Sequence, residues 1–209
     1  METSGMAGIL SEADVQRLLT DPSPDARAET AAKVALAFAG AQLSASERQL
    51  AGQIFHVMAK DAEVMVRSTL AYHLKSNPDL PKEVALALAR DVEEVSLPVL
   101  EFSSVLDDAD LIEIVRSSNA DKQKAVARRE TVSNKVANAL IDHSKNAGVV
   151  AELINNKGAV LGEAEYSKAL HKHGDDPAVA NSVASRPQLP ITIAERVVNM
   201  VSEKLREFL

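Results

Sequence analysis

Apolar residues in this chain recur at a spacing of four, which places their side chains on one face of an α-helix. The recurring pattern is an apolar residue, a residue that favours the start of a helix, and apolar residues four and eight positions after the first. Three clear copies are Leu80-Pro81 with Val84 and Leu88, Val132-Ser133 with Val136 and Leu140, and Leu189-Pro190 with Ile193 and Val197. Because valine stands singly at these spacings and not in alternating runs, the pattern predicts an all-α chain.

The same pattern is an internal repeat. Looser copies begin at Leu106 and Leu161, so the starts at 80, 106, 132, 161 and 189 are separated by 26, 26, 29 and 28 residues. An earlier copy, Leu43-Ser44, carries a capping-box sequence that ends at Glu47. The stretches before the five starts predict partner helices over 62–74, 92–102, 121–129, 147–155 and 177–184. Each unit is therefore predicted to be a helical hairpin that buries its apolar faces by stacking on its neighbours.

Two pairs of charged residues indicate how successive hairpins are joined. Asp21 and Arg27 are six residues apart, as are Asp61 and Arg67, and the pairs repeat after 40 residues. This spacing resembles the ladder of HEAT repeats, in which aspartate and arginine tie adjacent repeats together. The resemblance implies that these four residues form a structural ladder, in which we expect Asp61 to be the carboxylate partner of Arg67.

Later units depart from that spacing. Leu97 stands six residues after Asp91, and Arg128 stands seven residues after Asp121. These units are also shorter than ordinary HEAT repeats, so we do not expect regular HEAT curvature. The predicted fold is an all-α, right-handed α-solenoid of about six short HEAT-like hairpins, in a single domain over residues 1–209.

Several longer runs are similar to an alphaproteobacterial family known as domain of unknown function 2336. They are Asp61-Ala-Glu-Val-Met-Val-Arg67, Asn77-Pro-Asp-Leu-Pro81, Leu88-Ala-Arg-Asp91, Pro98-Val-Leu-Glu-Phe-Ser103, Asp110-Leu-Ile-Glu-Ile-Val115 and Arg186-Pro-Gln-Leu-Pro190. The resemblance extends from about Leu10 to the end, and it implies no activity. Members of that family often continue further, and the last helix ends without a Gly or Asn cap. We therefore expect either a longer natural chain or a covered final face.

Composition and motifs argue against catalysis. Hydrophobic residues make up 46% and charged residues 25%, as in globular proteins, and the absence of cysteine excludes thiol chemistry and thiolate metal sites. The glycines form no phosphate-binding loop, and no serine stands in a Gly-x-Ser-x-Gly motif. His171, His173, Asp175 and Asp176 are the best candidates for metal ligands, but a charged helix end is the simpler interpretation. We expect no enzyme, no catalytic residue, no metal and no cofactor.

Charge is distributed unevenly along the chain. Residues 1–110 hold 9 basic and 18 acidic side chains, a net charge of −9, whereas residues 111–209 hold 14 and 12, a net charge of +2. Bands of opposite charge on a solenoid steer a partner and fix its register. It is an equally good interpretation that these charged bands are solvated faces, or that they neutralise each other across repeat boundaries. The basic residues predicted to contact a partner are Arg116, Lys122, Lys124, Arg128 and Arg129.

Aromatic residues are the other candidates, because they often dominate interface energetics. The chain has four Phe, two Tyr and no Trp. Tyr72, Phe102 and Tyr166 are considered for contact with a partner. Tyr72 and Phe102 occupy comparable places in successive units, and the core is the better prediction for all three.

These observations predict a cytoplasmic, non-catalytic scaffold or adaptor with a regulatory role that binds a protein or peptide, because stacked hairpins mainly bind such partners. The alternative is a nucleic-acid-binding protein built like the HEAT-like DNA glycosylases. The net charge of −7 and the scarcity of aromatics argue against that alternative. No apolar run is long enough for a membrane span. A homodimer through residues 191–209 is a further possibility.

Overall fold

The computed structural model describes residues 23–40 and 43–208, and within them the chain is helical, which confirms the all-α class. Twelve helices occur in these residues: α1 Pro24–Gly40, α2 Ala45–Met58, α3 Val64–Leu74, α4 Lys82–Ala89, α5 Glu93–Phe102, α6 Asp108–Ser117, α7 Ala120–Ala127, α8 Asn134–His143, α9 Ala147–Asn155, α10 Glu163–His173, α11 Pro177–Ala184 and α12 Ile191–Phe208. The described part contains no strand, and its isolated bridge pairs Val132 with Ala159. The helices fall into two compact units, which meet in sequence between Asp107 and Asp108.

The residues that begin the helices explain why their starts are predictable. Ser44 and Glu47 form the expected capping box at α2: the Glu47 N–H donates to Ser44 Oγ, and the Ser44 N–H donates to the Glu47 carboxylate. Ser133 accepts from the Val136 N–H at α8, and Asp176 accepts from the Ala178 N–H at α11. These caps satisfy amides that have no partner inside the helix. The predicted partner helices accordingly agree with α3, α5, α7, α9 and α11 to within two residues.

In the first unit, the main packing contacts join helices that are two places apart along the chain. Helix α3 lies between α1 and α5, and α2 packs against α4. The core includes Leu70, Leu74, Leu88 and Leu100, all fully buried. Phe38 and Phe55 meet edge to face with ring centroids 5.0 Å apart. The four-residue pattern therefore predicted the buried face correctly.

The second unit repeats this order in two rows of helices. Helix α9 lies between α7 and α11, and the other row runs α6, α8, α10 and α12. Its core is mostly aliphatic, with Leu140, Ile141, Leu153 and Ile154 buried. Full burial of such a side chain contributes about 1.5–3 kcal/mol, so the stacked rows account for much of the stability of this unit.

Polar side chains join each hairpin to the next one. Lys82 pairs with Asp107 in the first unit, while Ser133 donates to Asp108 and Thr192 donates to Glu163 in the second. The partners in these bonds are 25, 25 and 29 residues apart, which is one repeat.

A turn between α9 and α10 makes a tighter junction. The Asn156 side chain donates to the carbonyls of Ala127 and Arg129 at 2.8 and 2.7 Å, one repeat earlier. A Cβ on Gly158 would lie 1.8 Å from the Glu130 carbonyl oxygen, so glycine permits this approach. The second unit is therefore joined through main-chain groups at this position.

The described helices include none that is both long enough and apolar enough to cross a lipid bilayer.

Candidate partner-binding surfaces

The arginine ladder links successive hairpins of the first unit. Arg27 donates from Nε and Nη2 to the two carboxylate oxygens of Asp61 at 2.8 and 3.0 Å. Arg67 makes the same two contacts with Asp91, at 2.5 and 2.9 Å. We expected Asp61 to be the carboxylate partner of Arg67, and that expectation is wrong. Arg67 instead donates to the Asp61 main-chain carbonyl at 2.6 Å, because its guanidinium reaches forward to the next hairpin. Asp21 lies outside the described residues.

The ladder changes the acidity of its carboxylates. The hydrogen bond from Arg27 lowers the pKa of Asp61 against the opposing effect of burial, and the Glu63 N–H donates to the same carboxylate. The pKa of Arg67 is raised, mainly by its hydrogen bond with Asp91. Both groups are therefore held in their charged forms by structural contacts.

The predicted basic contact residues lie on α7 and near its two ends. Arg116 is exposed in the last turn of α6, and Lys122 and Lys124 are half-buried on α7. Arg128 follows the other end of α7, which is about 12 Å long, and its Nε donates to Glu152 at 2.8 Å. A role for this set in partner binding stays a prediction.

Arg129, the fifth member of that set, has a different environment. Its side chain is half-buried, and burial lowers its pKa while the nearby charge of Asp108 opposes that shift. Its main-chain carbonyl accepts a hydrogen bond from the Asn156 side chain at 2.7 Å. Arg129 is therefore less available to a partner than Arg116.

Two aromatic rings lie on the surface of the first unit, where we expected core residues. The prediction is wrong for Tyr72 and Phe102, which are 62% and 49% exposed, and correct for Tyr166, which is 3% exposed. Tyr72 and Phe102 end the outward faces of α3 and α5, helices that pack side by side. Lys75 Nζ lies 4.4 Å from the Tyr72 ring centroid and 4.7 Å from that of Phe102. We call these three residues the aromatic surface.

The aromatic surface adjoins an open groove between α3 and α5. The groove has a volume of about 290 Å³ and is lined by Ser68, Thr69, Tyr72, His73, Glu94 and Pro98. Thr69 and Ser68 donate to the Met65 carbonyl, so their hydroxyls have partners. Glu94 is exposed, and its side chain has no hydrogen bond or ion pair with any described residue. We call this feature the α3–α5 groove.

Sequence reasoning missed Lys75 and Glu94 as members of this site. The spacing of Tyr72 and Lys75, three residues apart at a helix end, is one that brings side chains together, and it could have indicated the contact. The contribution of Phe102 and Glu94 depends on how α5 packs against α3, which the linear sequence does not specify.

The structure brings no metal site together within the described ranges 23–40 and 43–208, where no group of three or more His, Asp or Glu side chains could hold an ion. His173 Nε2 is buried without a hydrogen-bond partner among these residues. Burial lowers the pKa of His173, and the positive charge of Lys172 lowers it further. This is the behaviour of a neutral imidazole packed at the end of a helix.

The last helix exposes a second apolar surface. Ile191 and Val198 are 77% and 62% exposed, while Ile193 and Val197 face the core. Leu189, Ala194 and Val198 help to line a shallow groove along the outer side of α12.

Comparison with known proteins adds a family to this description. The sequence model of the family described as "Uncharacterised protein conserved in bacteria (DUF2336)" matches residues 95–209, more than half of the chain. We expected the resemblance to begin near Leu10; the match begins at Val95, so the runs at 98–103, 110–115 and 186–190 lie inside it and the run at 61–67 does not. No curated protein and no solved structure matches the chain. The chain therefore belongs to the DUF2336 family of bacterial proteins.

Proposed function

We propose that the chain is a non-catalytic scaffold or adaptor, an α-solenoid of HEAT-like hairpins that binds a protein or peptide partner in the cytoplasm. The observation that carries the proposal is the aromatic surface: two of the chain's six Phe and Tyr residues lie exposed on neighbouring helices. Large aromatic side chains dominate the energetics of protein interfaces, and exposing two together is costly in a chain that has few.

The solenoid part of the proposal is supported by packing within each unit. Within each unit, helices two places apart in the chain contact one another, and side-chain hydrogen bonds join groups one repeat apart. Units that contact mainly their neighbours are the defining property of repeat proteins. Such surfaces are extended and suit macromolecular partners.

Affinity capture from a nuclease-treated bacterial extract tests the binding function. The baits are the full wild-type chain, Tyr72→Ala/Phe102→Ala, and Arg116→Glu/Lys124→Glu. The last pair samples the predicted basic residues without breaking the Arg128–Glu152 ion pair. Val57→Ala is the control, because Val57 is 72% exposed on α2. We expect one or more proteins that the wild type and the control retain and the aromatic variant loses.

The result also decides between the two groups of residues. Loss with the basic variant alone would assign binding to the α6–α7 region, and retention by all variants would leave both assignments wrong. If no protein is retained at either low or high salt, the adaptor function is wrong.

Nucleic-acid binding remains the second candidate, and its support is the run of basic residues around α7. With Arg128 paired to Glu152 and Arg129 half-buried, few charges are left for phosphates. Such binding would weaken steeply between 50 and 200 mM salt. Fluorescence titration of a labelled DNA duplex over that range of salt concentration measures the affinity. DNA binding with a dissociation constant below micromolar that does not change with salt would contradict our preference for a protein-binding adaptor.

Self-association through α12 is supported by its exposed apolar side chains. Light scattering on the wild type, on Ile191→Glu/Val198→Glu and on Val160→Glu tests it, since Val160 is a similarly exposed valine elsewhere in the second unit. A dimer that only the α12 variant disrupts supports this interface. A monomeric wild type at high micromolar concentration contradicts it.

A further inference from the structure

We infer that the α3–α5 groove takes a peptide segment in which an arginine or lysine stands beside a large apolar side chain. This inference rests on the proposed adaptor function and specifies the chemistry of the partner. The groove offers two kinds of surface to such a segment: aromatic rings that accept an apolar group or a cation, and oxygens that accept hydrogen bonds from a basic group.

The aromatic rings already accommodate a cation. The Lys75 ammonium lies within 5 Å of both the Tyr72 and the Phe102 centroids, well inside the range of a cation–π interaction. No other Lys or Arg contributes to either ring contact among the described residues. The rings therefore form a pair of π faces that favours positive charge, and the chain's own lysine occupies it.

The wall formed by α5 is rich in acceptors. Glu94, Pro98 and Glu101 follow one another at helical spacings on one face of α5. The Glu94 and Glu101 carboxylates have no side-chain partner in the described residues. Pro98 lies inside α5 and has no N–H, so it cannot donate to the Glu94 carbonyl one turn earlier. A guanidinium or ammonium group supplies the donors that these oxygens lack.

The surrounding charge has the matching sign. Residues 91–113 contain eight acidic side chains and no basic one. Asp91 in this segment is already bound to Arg67, but Glu94 lines the groove, and Glu101 lies two turns further along the same face of α5. An acidic partner would meet repulsion here, whereas a basic one gains both steering and register.

The distribution of apolar surface indicates a short segment and not a large flat partner. Tyr72, Phe102 and the groove lie along two adjacent helices, and the groove has room for only a few side chains. Val92, half-exposed at the start of α5, extends the apolar border. One apolar residue on the rings with a basic residue toward Glu94 fills this arrangement.

A display library of random twelve-residue peptides tests the inference. It is panned in parallel on the immobilised full chain and on immobilised Tyr72→Ala/Phe102→Ala. We expect enriched sequences that combine arginine or lysine with a large apolar residue. A synthetic peptide of the most enriched sequence should lose roughly tenfold or more in affinity for the double variant.

The carboxylates are tested with the same synthetic peptide. Glu94→Gln/Glu101→Gln should weaken its binding by about threefold or more, and Glu83→Gln, an exposed carboxylate on α4, should not. Circular dichroism confirms that each variant is folded. Enrichment of acidic peptides, or equal binding by the aromatic double variant, would overturn this site and leave the adaptor function standing. If no peptide is enriched on either bait, both the site and the adaptor function are wrong.

Discussion

The two units solve the same joining problem with different chemistry. In the first, arginine side chains reach carboxylates one hairpin ahead, in the pairs Arg27–Asp61 and Arg67–Asp91. In the second, Asn156 and Arg186 donate to main-chain carbonyls of neighbouring hairpins, beside the more exposed ion pairs Arg128–Glu152 and Lys168–Asp142. A ladder of ion pairs needs two matched side chains, whereas a side chain that donates to a main-chain carbonyl needs no matching side chain. This explains how the Asp–Arg spacing fades in the later repeats while stacking continues.

The outward faces differ as well. The row α3 and α5 exposes Tyr72 and Phe102, whereas α9 presents Gly148, Glu152 and Asn155 to the outside. Glu152 is already engaged with Arg128. Stacking requires an apolar inner face, whereas the outer residues of a repeat can vary. In the first unit these outer residues include the aromatic surface.

Removal of the Arg67 side chain should have the largest effect on this comparison. The Arg67 and Asp91 side chains are only 14% and 13% exposed, so Arg67→Ala removes the guanidinium partner of a largely buried carboxylate. We expect a loss of about 2–4 kcal/mol in the free energy of unfolding, measured by urea denaturation. Lys82→Ala breaks the exposed Lys82–Asp107 pair and should cost about 0.5 kcal/mol or less. Equal effects of the two changes would mean that the ladder does not stabilise the first unit.

The neutral junction of the second unit should be somewhat less sensitive. Asn156→Ala removes the donor from the Ala127 and Arg129 carbonyls, with an expected cost of about 1–3 kcal/mol. Asn156→Asp should also destabilise, because a carboxylate cannot donate. Lys157→Ala, an exposed neighbour, serves as the control in the same urea titrations. If Asn156→Ala unfolds like the wild type, main-chain joining is not what holds this junction.

Lowering the pH should distinguish the two kinds of junction, and its effect on the free energy of unfolding should be the smallest of those described here. The pKa of Asp61 in the folded chain lies below its ordinary value of 3.8. The Arg27–Asp61 contribution is therefore present at neutral pH and is lost as pH falls through the folded pKa. The difference in unfolding free energy between the wild type and Arg27→Gln should narrow from pH 7 to about pH 3.

The control for that experiment comes from the second unit. Arg186 Nε donates to the neutral Tyr166 hydroxyl at 2.8 Å, so the difference between the wild type and Arg186→Gln should stay constant over the same pH range. A difference that narrows equally for both variants would contradict the distinction between the junctions.

The helices were predictable because their signals are local. Caps such as Ser44, Ser133 and Asp176 and the apolar residues four positions apart are read within one turn of chain, and the structure places helices where they indicate. For the ladder, the sequence predicted the residues but not their pairing. Arg67 reaches Asp91 because contacts between hairpins depend on how far a side chain extends.

The candidate site was much less predictable. Tyr72 and Phe102 stand at apolar positions of helices, and the sequence does not reveal that packing of α3 on α5 turns these two outward. The basic residues between 116 and 129 are close in sequence, but α7 places Arg116 and Arg128 near its opposite ends. Position along a helix is a local property, whereas the side of a helix that meets solvent is decided by its neighbours.

The most direct test of the binding account is the sign of the affinity change on removing the Lys75 charge. Lys75→Met keeps an unbranched apolar stem but removes the ammonium that lies over both rings. Titration calorimetry with the library-selected peptide should show tighter binding by about threefold or more, because the basic residue of the peptide is no longer repelled by the ammonium beside the rings. Lys82→Met should leave the affinity unchanged. Weaker binding by Lys75→Met would contradict the account, since Lys75 would then be a contact for an acidic partner.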